Sequence, residues 1–206
     1  MAALVPSLTT VRLVLRPLEI SDAAVVQVLF PKWEIVQYLA KHVPWPYPAD
    51  GALTFIRDAA LPAMQEGLEW HWSIRCKNVP DRLIGVISLT DEPGNNRGFW
   101  LDPAWQGRGL MSEAVEVVTK FWFDTLDRSV LHAPKAAANL RSRQISQRSG
   151  MRVVERMERD YVAGRLPAEV WEITREEWRS RSRHINGPDT TLSANTAGLC
   201  PDPPKA

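Results

Sequence analysis

The stretch Trp105-Gln106-Gly107-Arg108-Gly109-Leu110-Met111-Ser112-Glu113-Ala114 constrains this chain more than any other. Two glycines stand two residues apart in a short polar loop. A strand-like run, Gly98-Phe99-Trp100-Leu101, comes before them and a long helical pattern comes after. Glycine allows left-handed turns and a close backbone approach to a ligand. The first amides of a helix are unpaired and aligned with its dipole, so a loop of this kind can hold phosphate. The spacing alone is a weak signal, because many strand-to-helix turns carry glycines without a ligand. The rest of the chain must decide.

With 206 residues the chain is long enough for one domain with a real core, alone or with a tail. A formal net charge of +1 gives no reason to expect a nucleic-acid or membrane partner. Tryptophan is abundant at nine residues, enough for a core and for an aromatic groove. Cys76 lies in a strand-like run and Cys200 in a Pro-rich segment, so two free thiols in a reducing compartment are expected rather than a disulfide. His42, His71, His132 and His184 show no metal-ligand spacing. No signal segment and no bilayer-length apolar run are visible, and a cytoplasmic protein is expected.

Alternation over Val11–Arg16 predicts an opening strand, and Ser21-Asp22 an N-cap for a helix over Ala23–Phe30. A turn or two of helix is expected within Trp33–Ala40. Pro44, Pro46 and Pro48 then impose an extended loop carrying Trp45 and Tyr47. A helix from Asp50 to Glu66 should break or kink at Pro62. Glu69–Lys77, Arg82–Thr90 and Arg97–Leu101 read as a three-strand meander that delivers the chain to the glycine loop. Leu110, Ala114, Val117, Val118, Phe121 and Trp122 fall at helix spacing. A strand over Val130–Lys135 and a helix over Asn139–Arg148 ending at Gly150 follow. Strands over Met151–Tyr161 and Glu169–Thr174 and a helix over Arg175–Arg181 complete the pattern. From His184 apolar periodicity stops, so residues 1–183 are expected to form the domain and 184–206 a loosely attached tail.

Order and motifs together resemble a GNAT-superfamily acetyltransferase of the Rim type, over about Thr10 to Arg179. Gln106-Gly107-Arg108-Gly109-Leu110-Met111 resembles the superfamily's pyrophosphate loop, with Met111 in the small-residue place. Asn139-Leu140-Arg141-Ser142 followed by Ser149-Gly150-Met151, and the opening Val11–Pro17, resemble the group's other signatures. The resemblance implies an α+β fold whose mixed, mostly antiparallel central sheet splays open between flanking helices. It implies acetyl-CoA as co-substrate, with no metal. The pantetheine would lie along Trp100, Leu101 and Asp102, and the pyrophosphate on Gln106, Gly107, Arg108, Gly109, Leu110, Met111 and Ser112. Asn139 would contact the pantetheine or a water, and Ser142 would serve the departing sulfur. The residues by themselves leave Asn139 as a plain helix cap and Ser142 as a surface residue.

Transfer to an amine needs a neutral nucleophile, a held carbonyl, an oxyanion donor and a proton for the thiolate. Rim-type sequences often carry Glu where this chain has Asn96, which cannot accept a proton at neutral pH. Asp91, Glu92, Glu69 and His71 are the substitutes within reach, and the base is left open. Glu113 reads as a first-turn acid, and Arg108, Arg141 and Arg143 as phosphate partners or exposed basic residues. Trp33, Trp45, Tyr47 and Trp72 are expected on the acceptor side, with Trp70 or Trp72 going to the core. The expected function is direct acetyl transfer from acetyl-CoA to a primary amine, on a small molecule or a protein N-terminus, by a monomer or homodimer. The alternative is an acyl-CoA-binding sensor or scaffold without transfer activity. A nucleotide-phosphate protein of another fold would need parallel strand–helix units that a meander does not supply.

Overall fold

The computed structural model describes residues 5–185 and Cys200, with side chains to Arg181 and at Cys200. Strands β1 (Leu8–Thr9), β2 (Leu13–Pro17), β3 (Glu69–Cys76), β4 (Val79–Thr90) and β5 (Arg97–Leu101) form one antiparallel sheet in chain order. Strands β6 (Val130–Ala136), β7 (Arg152–Tyr161) and β8 (Gly164–Thr174) form a second antiparallel sheet in the order β6-β8-β7. Helix α1 (Ala23–Leu29) and α2 (Trp33–Val36) precede the Pro-rich loop. After it come α3 (Gly51–Phe55), a π-turn over Ile56–Ala60 and α4 (Leu61–Glu66). Helix α5 (Leu110–Asp124) joins the two sheets, α6 (Leu140–Arg148) follows β6, and α7 (Arg175–Ile185) closes the described chain.

Alternation dictates the layers. Trp70, Trp72, Ile74 and Cys76 point from β3 to one face, where they bury against Val118, Phe121 and Trp122 of α5. The opposite face holds a second core of Leu18, Val26, Phe30, Ala52, Ile56 and Val86, beneath α1 and α3. Pro62 neither breaks the helical run nor ends it. The π-turn just before it widens the helix and absorbs the ring and the lost N–H. Asp22 does not cap α1 through its side chain. Its carboxylate instead accepts from the Glu19 amide at 3.1 Å and pairs with Arg75. Strand β8 begins earlier than expected because Pro167 pairs with β7 beyond the last β6 pair, Ala136 with Ala168, so its missing N–H costs no ladder bond.

The two sheets meet through Asn96. Its amide donates to the His132 carbonyl at 2.8 Å and its Oδ1 accepts from the His132 amide at 2.8 Å. Its Nδ2 donates to the carbonyls of Glu92 at 2.8 Å and Thr90 at 3.2 Å. Beyond this pair no backbone hydrogen bond joins β5 to β6 among the described residues, so the strands part. Beside the parting point the Arg97 side chain is 2% exposed, with Thr119 Oγ1 at 2.9 Å and Met151 Sδ at 3.1 Å. A second clasp crosses the opening. Val162 and Ala163 of the β7–β8 turn donate to the Leu39 and Gln37 carbonyls at 3.0 and 3.1 Å, and Lys41 donates to Asp160 at 3.3 Å.

The cysteines are a correction. Cys76 and Cys200 are joined in a disulfide, with Cα atoms 5.8 Å apart across a separation of 124 residues. Both are buried, and Asn78 Nδ2 donates to the Cys200 carbonyl at 3.2 Å. A polar, Pro-rich sequence gives no periodicity from which such a return could be read. The expected boundary at His184 falls inside α7, which continues to Ile185, and residues 186–199 and 201–206 of the expected tail lie outside the described residues.

Asn96→Ala leaves the His132 N–H without its acceptor and should lower unfolding free energy by about 1–3 kcal/mol in urea denaturation. Cys200→Ser should lower it by about 2–4 kcal/mol under oxidising conditions. A reductant should produce the same loss in the parent and none in the variant.

Candidate active site

The glycine turn is built as its sequence requires. Trp105 ends a 3-10 turn over Pro103–Trp105 and is fully buried, with the Arg82 and Arg108 guanidiniums 5.5 and 5.7 Å from its ring centroid. Gly107 and Gly109 take φ of 76° and 75°. A Cβ at Gly107 would meet nothing within 4 Å, so conformation, not space, selects glycine there. Gly109 is the N-cap of α5, and no side chain caps that helix. The amides of Leu110, Met111 and Ser112 therefore point into the turn without helical partners. The side chains of Leu110 and Met111 are core, 1% and 6% exposed, so only their backbone is available to a ligand.

Six hydrogen bonds hold the turn in place. Gln106 Nε2 donates to the Leu101 carbonyl at 2.8 Å, and its Oε1 accepts from Arg141 Nη1 at 2.5 Å. Behind the turn, Glu113 accepts from Thr10 Oγ1, and from the amide and Nε of Arg12 at 2.7 Å each. Arg12 Nη1 reaches on to the Arg108 carbonyl at 3.0 Å. Burial works to raise the Glu113 pKa, but these donors outweigh it and hold the carboxyl below its usual range. Glu113 is thus a brace, committed to Arg12.

Strand β5 presents a free edge beside the turn. Its Asp102 amide donates to Ile84 of β4 at 2.9 Å, and a Cβ on Gly85 would lie 2.5 Å from the Trp100 carbonyl oxygen. Trp100 and Asp102 thus direct their backbone groups at β4. By strand alternation, Phe99 and Leu101 direct theirs at the gap. Of the expected cofactor edge of Trp100 to Asp102, Leu101 thus faces the gap, while the backbone groups of Trp100 and Asp102 are committed to β4. Asp102 is also 5% exposed and forms an ion pair with Lys32 at 2.7 Å, so its carboxylate ties α2 to the end of β5.

Across the gap, Asn139 caps α6. Its Oδ1 accepts from the Ser142 amide at 3.1 Å, and its Nδ2 has no partner among the described residues. Ser142 is 7% exposed, so it is not the surface residue its polarity allowed. Arg143 turns away to Glu169 at 2.8 Å. Two buried cations were missed. Arg97 and Lys135 flank the parting strands, and the Lys135 ammonium sits 4.6 Å from the Phe99 ring centroid. The only sequence signal for Lys135 was a charge at an apolar-phase position of β6.

The opposite side of β5 is aromatic. Phe30 meets Tyr47 at 5.0 Å and Trp100 at 5.4 Å, and Trp33 meets Trp45 at 5.6 Å. Trp33 and Trp45 remain 44% and 43% exposed. Trp72 does not line this groove. It is fully buried, with its ring 5.4 Å from Phe121 and its Nε1 donating to the Pro6 carbonyl at 2.7 Å. Trp70 shares its parity on a central strand, so both indoles went to the core. The substitutes for a base are engaged as well. Glu69 pairs with His71 at 2.5 Å, Asp91 with Arg128 at 2.5 Å, and Glu92 accepts from Asn95 at 2.8 Å.

Solved structures with this arrangement are informative about the fold. RimL, a ribosomal alpha-N-protein acetyltransferase in complex with coenzyme A, superposes with a TM-score of 0.69 at 20% identity over 84% of this chain and 98% of its own. A ribosomal-protein-alanine acetyltransferase from Vibrio fischeri gives 0.70 at 18% over 84% and 98%. The self immunity acetyltransferase MccE, in complex with acetyl-CoA and AMP, gives 0.66 at 16% over 79% and 92%. A curated relative, the probable N-acetyltransferase YjcK of Bacillus subtilis (strain 168), is 30% identical over 92 residues. The match takes in 42% of this chain and spans half the length of that relative. The acetyltransferase (GNAT) domain family model matches residues 12–152, from the opening strand through the glycine turn to the start of β7, and the chain belongs to that family.

Proposed function

We propose that this protein is an acetyl-CoA-dependent N-acetyltransferase that passes the acetyl group directly to a primary amine. The carrying observation is the uncapped N-terminus of α5, set behind two left-handed glycines and beside the free edge of β5 where the sheets part. The amides of Leu110, Met111 and Ser112 suit a pyrophosphate, with Arg108 and Arg141 adding positive charge. The edge groups of Phe99 and Leu101 suit the amides of a pantetheine arm, as an added strand would. When bound, acetyl-CoA supplies the activated thioester carbonyl. The Phe99 amide, farther from the turn than Leu101, would donate to the carbonyl oxygen, Ser142 Oγ to the sulfur, and Asn139 Nδ2 to the arm.

The acceptor side favours an amine with small or apolar flanks. Trp33, Trp45 and Tyr47 offer apolar faces there rather than carboxylates for a polybasic tail. The names of RimL and the Vibrio fischeri protein support a protein N-terminus as acceptor, and a small-molecule amine fits the same aromatic wall. This reading keeps the cytoplasm as the setting, and quantitative thiol alkylation of protein taken directly from cells tests it against the Cys76–Cys200 bond. The engaged state of Asp91, Glu92, Glu69 and His71 supports the acyl-CoA-binding sensor as the second reading.

Calorimetry with acetyl-CoA should show one site, and no binding at high micromolar concentration would overturn both readings. Gly109→Val should weaken that affinity at least about tenfold while lowering stability by about 1–2 kcal/mol, the cost of a branched residue in a left-handed conformation. Thiol release across a panel of amines should reveal an acceptor; none would favour the sensor. Ser142→Ala should lower kcat about 10- to 100-fold with little change in acetyl-CoA affinity, the loss of one hydrogen bond to a developing charge.

A further inference from the structure

Lys135 stands where the fold calls for an apolar side chain. On β6 the residues facing α5 are Leu131, Ala133 and Lys135, and all three are buried. The Lys135 ammonium reaches across the parting strands and rests over Phe99 of β5, beside the backbone edge assigned to the pantetheine arm. Among the described residues its Nζ has neither an ion pair nor a hydrogen bond. Charges on every surrounding element leave it so. Arg97 of β5 adds a second buried cation. Glu169 of β8, directly opposite Lys135 in the ladder, is taken by Arg143 of α6 at 2.8 Å and by Arg156 of β7 at 3.5 Å. Glu116 of α5 pairs with Arg181 of α7 at 2.5 Å. Two buried cations without a free carboxylate form a site for an anion that arises during the reaction.

We infer that Lys135 is the ammonium that gives its proton to the departing CoA sulfur. This rests on the acetyltransferase reading above. The acceptor nitrogen forms the N–C bond with its lone pair. The C–S bond breaks and its electron pair stays on sulfur. Sulfur takes a proton from Lys135 Nζ, the acceptor nitrogen loses one to water, and Lys135 is reprotonated from solvent. Ser142 cannot fill this role alone, since a serine hydroxyl does not release a proton near neutrality without a base. Burial first, and the Arg97 charge second, pull the Lys135 pKa down to about 7, so the proton moves readily at neutral pH.

The test uses the full chain with Lys135→Met and Lys135→Arg, both first checked for folding by circular dichroism. With CoA alone as probe, thiolate absorbance is followed against pH at saturation. In the parent the bound thiol should ionise at least about one pH unit below its value in the Met variant, because an adjacent cation favours the thiolate. The Arg variant, which keeps the charge, should resemble the parent. With acetyl-CoA and a reactive amine, the Met and Arg variants should both lose about 100-fold in kcat and lose the alkaline limb of the pH profile, with acetyl-CoA affinity held within about threefold. An acid works only while protonated, so that limb falls as pH rises through the Lys135 pKa. A Met variant with the parent's thiol titration and the parent's alkaline limb would overturn the assignment. Failure of the parent to bind CoA would instead overturn the cofactor reading on which it rests.

Discussion

The structure depends on four hydrogen bonds made by one side chain and its own amide. Asn96 joins β5 to β6 through His132 and anchors that junction to the turn leaving β4. An asparagine can do this because it carries a donor pair and an acceptor on one short stem. Glutamate would present acceptors only, and the Thr90 and Glu92 carbonyls would then face a carboxylate. Asn96, whose side chain cannot act as a base, is therefore the residue that sets where the sheet opens. The gap begins one residue beyond it, and everything attributed to the cofactor lies in that gap.

The gap is kept open by commitments on both walls. On the β5 side, Asp102 and Lys32 fix the strand end, Gln106 ties the turn to Leu101, and Arg12 with Glu113 supports the turn from behind. On the β6 side, the Asn139 cap orients α6 and Pro134 sits in an edge strand, where a missing N–H does little harm. The clasp of the β7–β8 turn onto Gln37 and Leu39 limits how far the walls can part. The two faces of the opening differ in character. One carries unpaired amides and buried cations, suited to a charged cofactor. The other carries exposed indoles, suited to an apolar-flanked acceptor.

Much of the fold was legible because it follows from periodicity. The meander over β3, β4 and β5, the amphipathic α5 and the glycine turn between them each follow from local patterns, and tertiary packing confirmed them. The turn was readable for a stronger reason: the backbone demands φ near 75° at Gly107 and Gly109, and few other residues supply it. The errors have a common cause. Trp72 and the Cys76–Cys200 pair both turn on what lies opposite a residue, and composition is silent about that.

By itself the sequence determined the order of elements, the left-handed glycine turn and the aromatic content of the Pro-rich loop. These are properties of neighbouring residues. The tertiary structure alone decided which strand edge stays free, that Asn96 is a joint, that Trp72 is core, and that Cys200 returns to β3. It alone brought Lys135 over Phe99 without a counter-charge. The physical reason is that hydrogen-bond satisfaction, desolvation and charge pairing depend on distances between segments far apart in the chain, which no local pattern encodes.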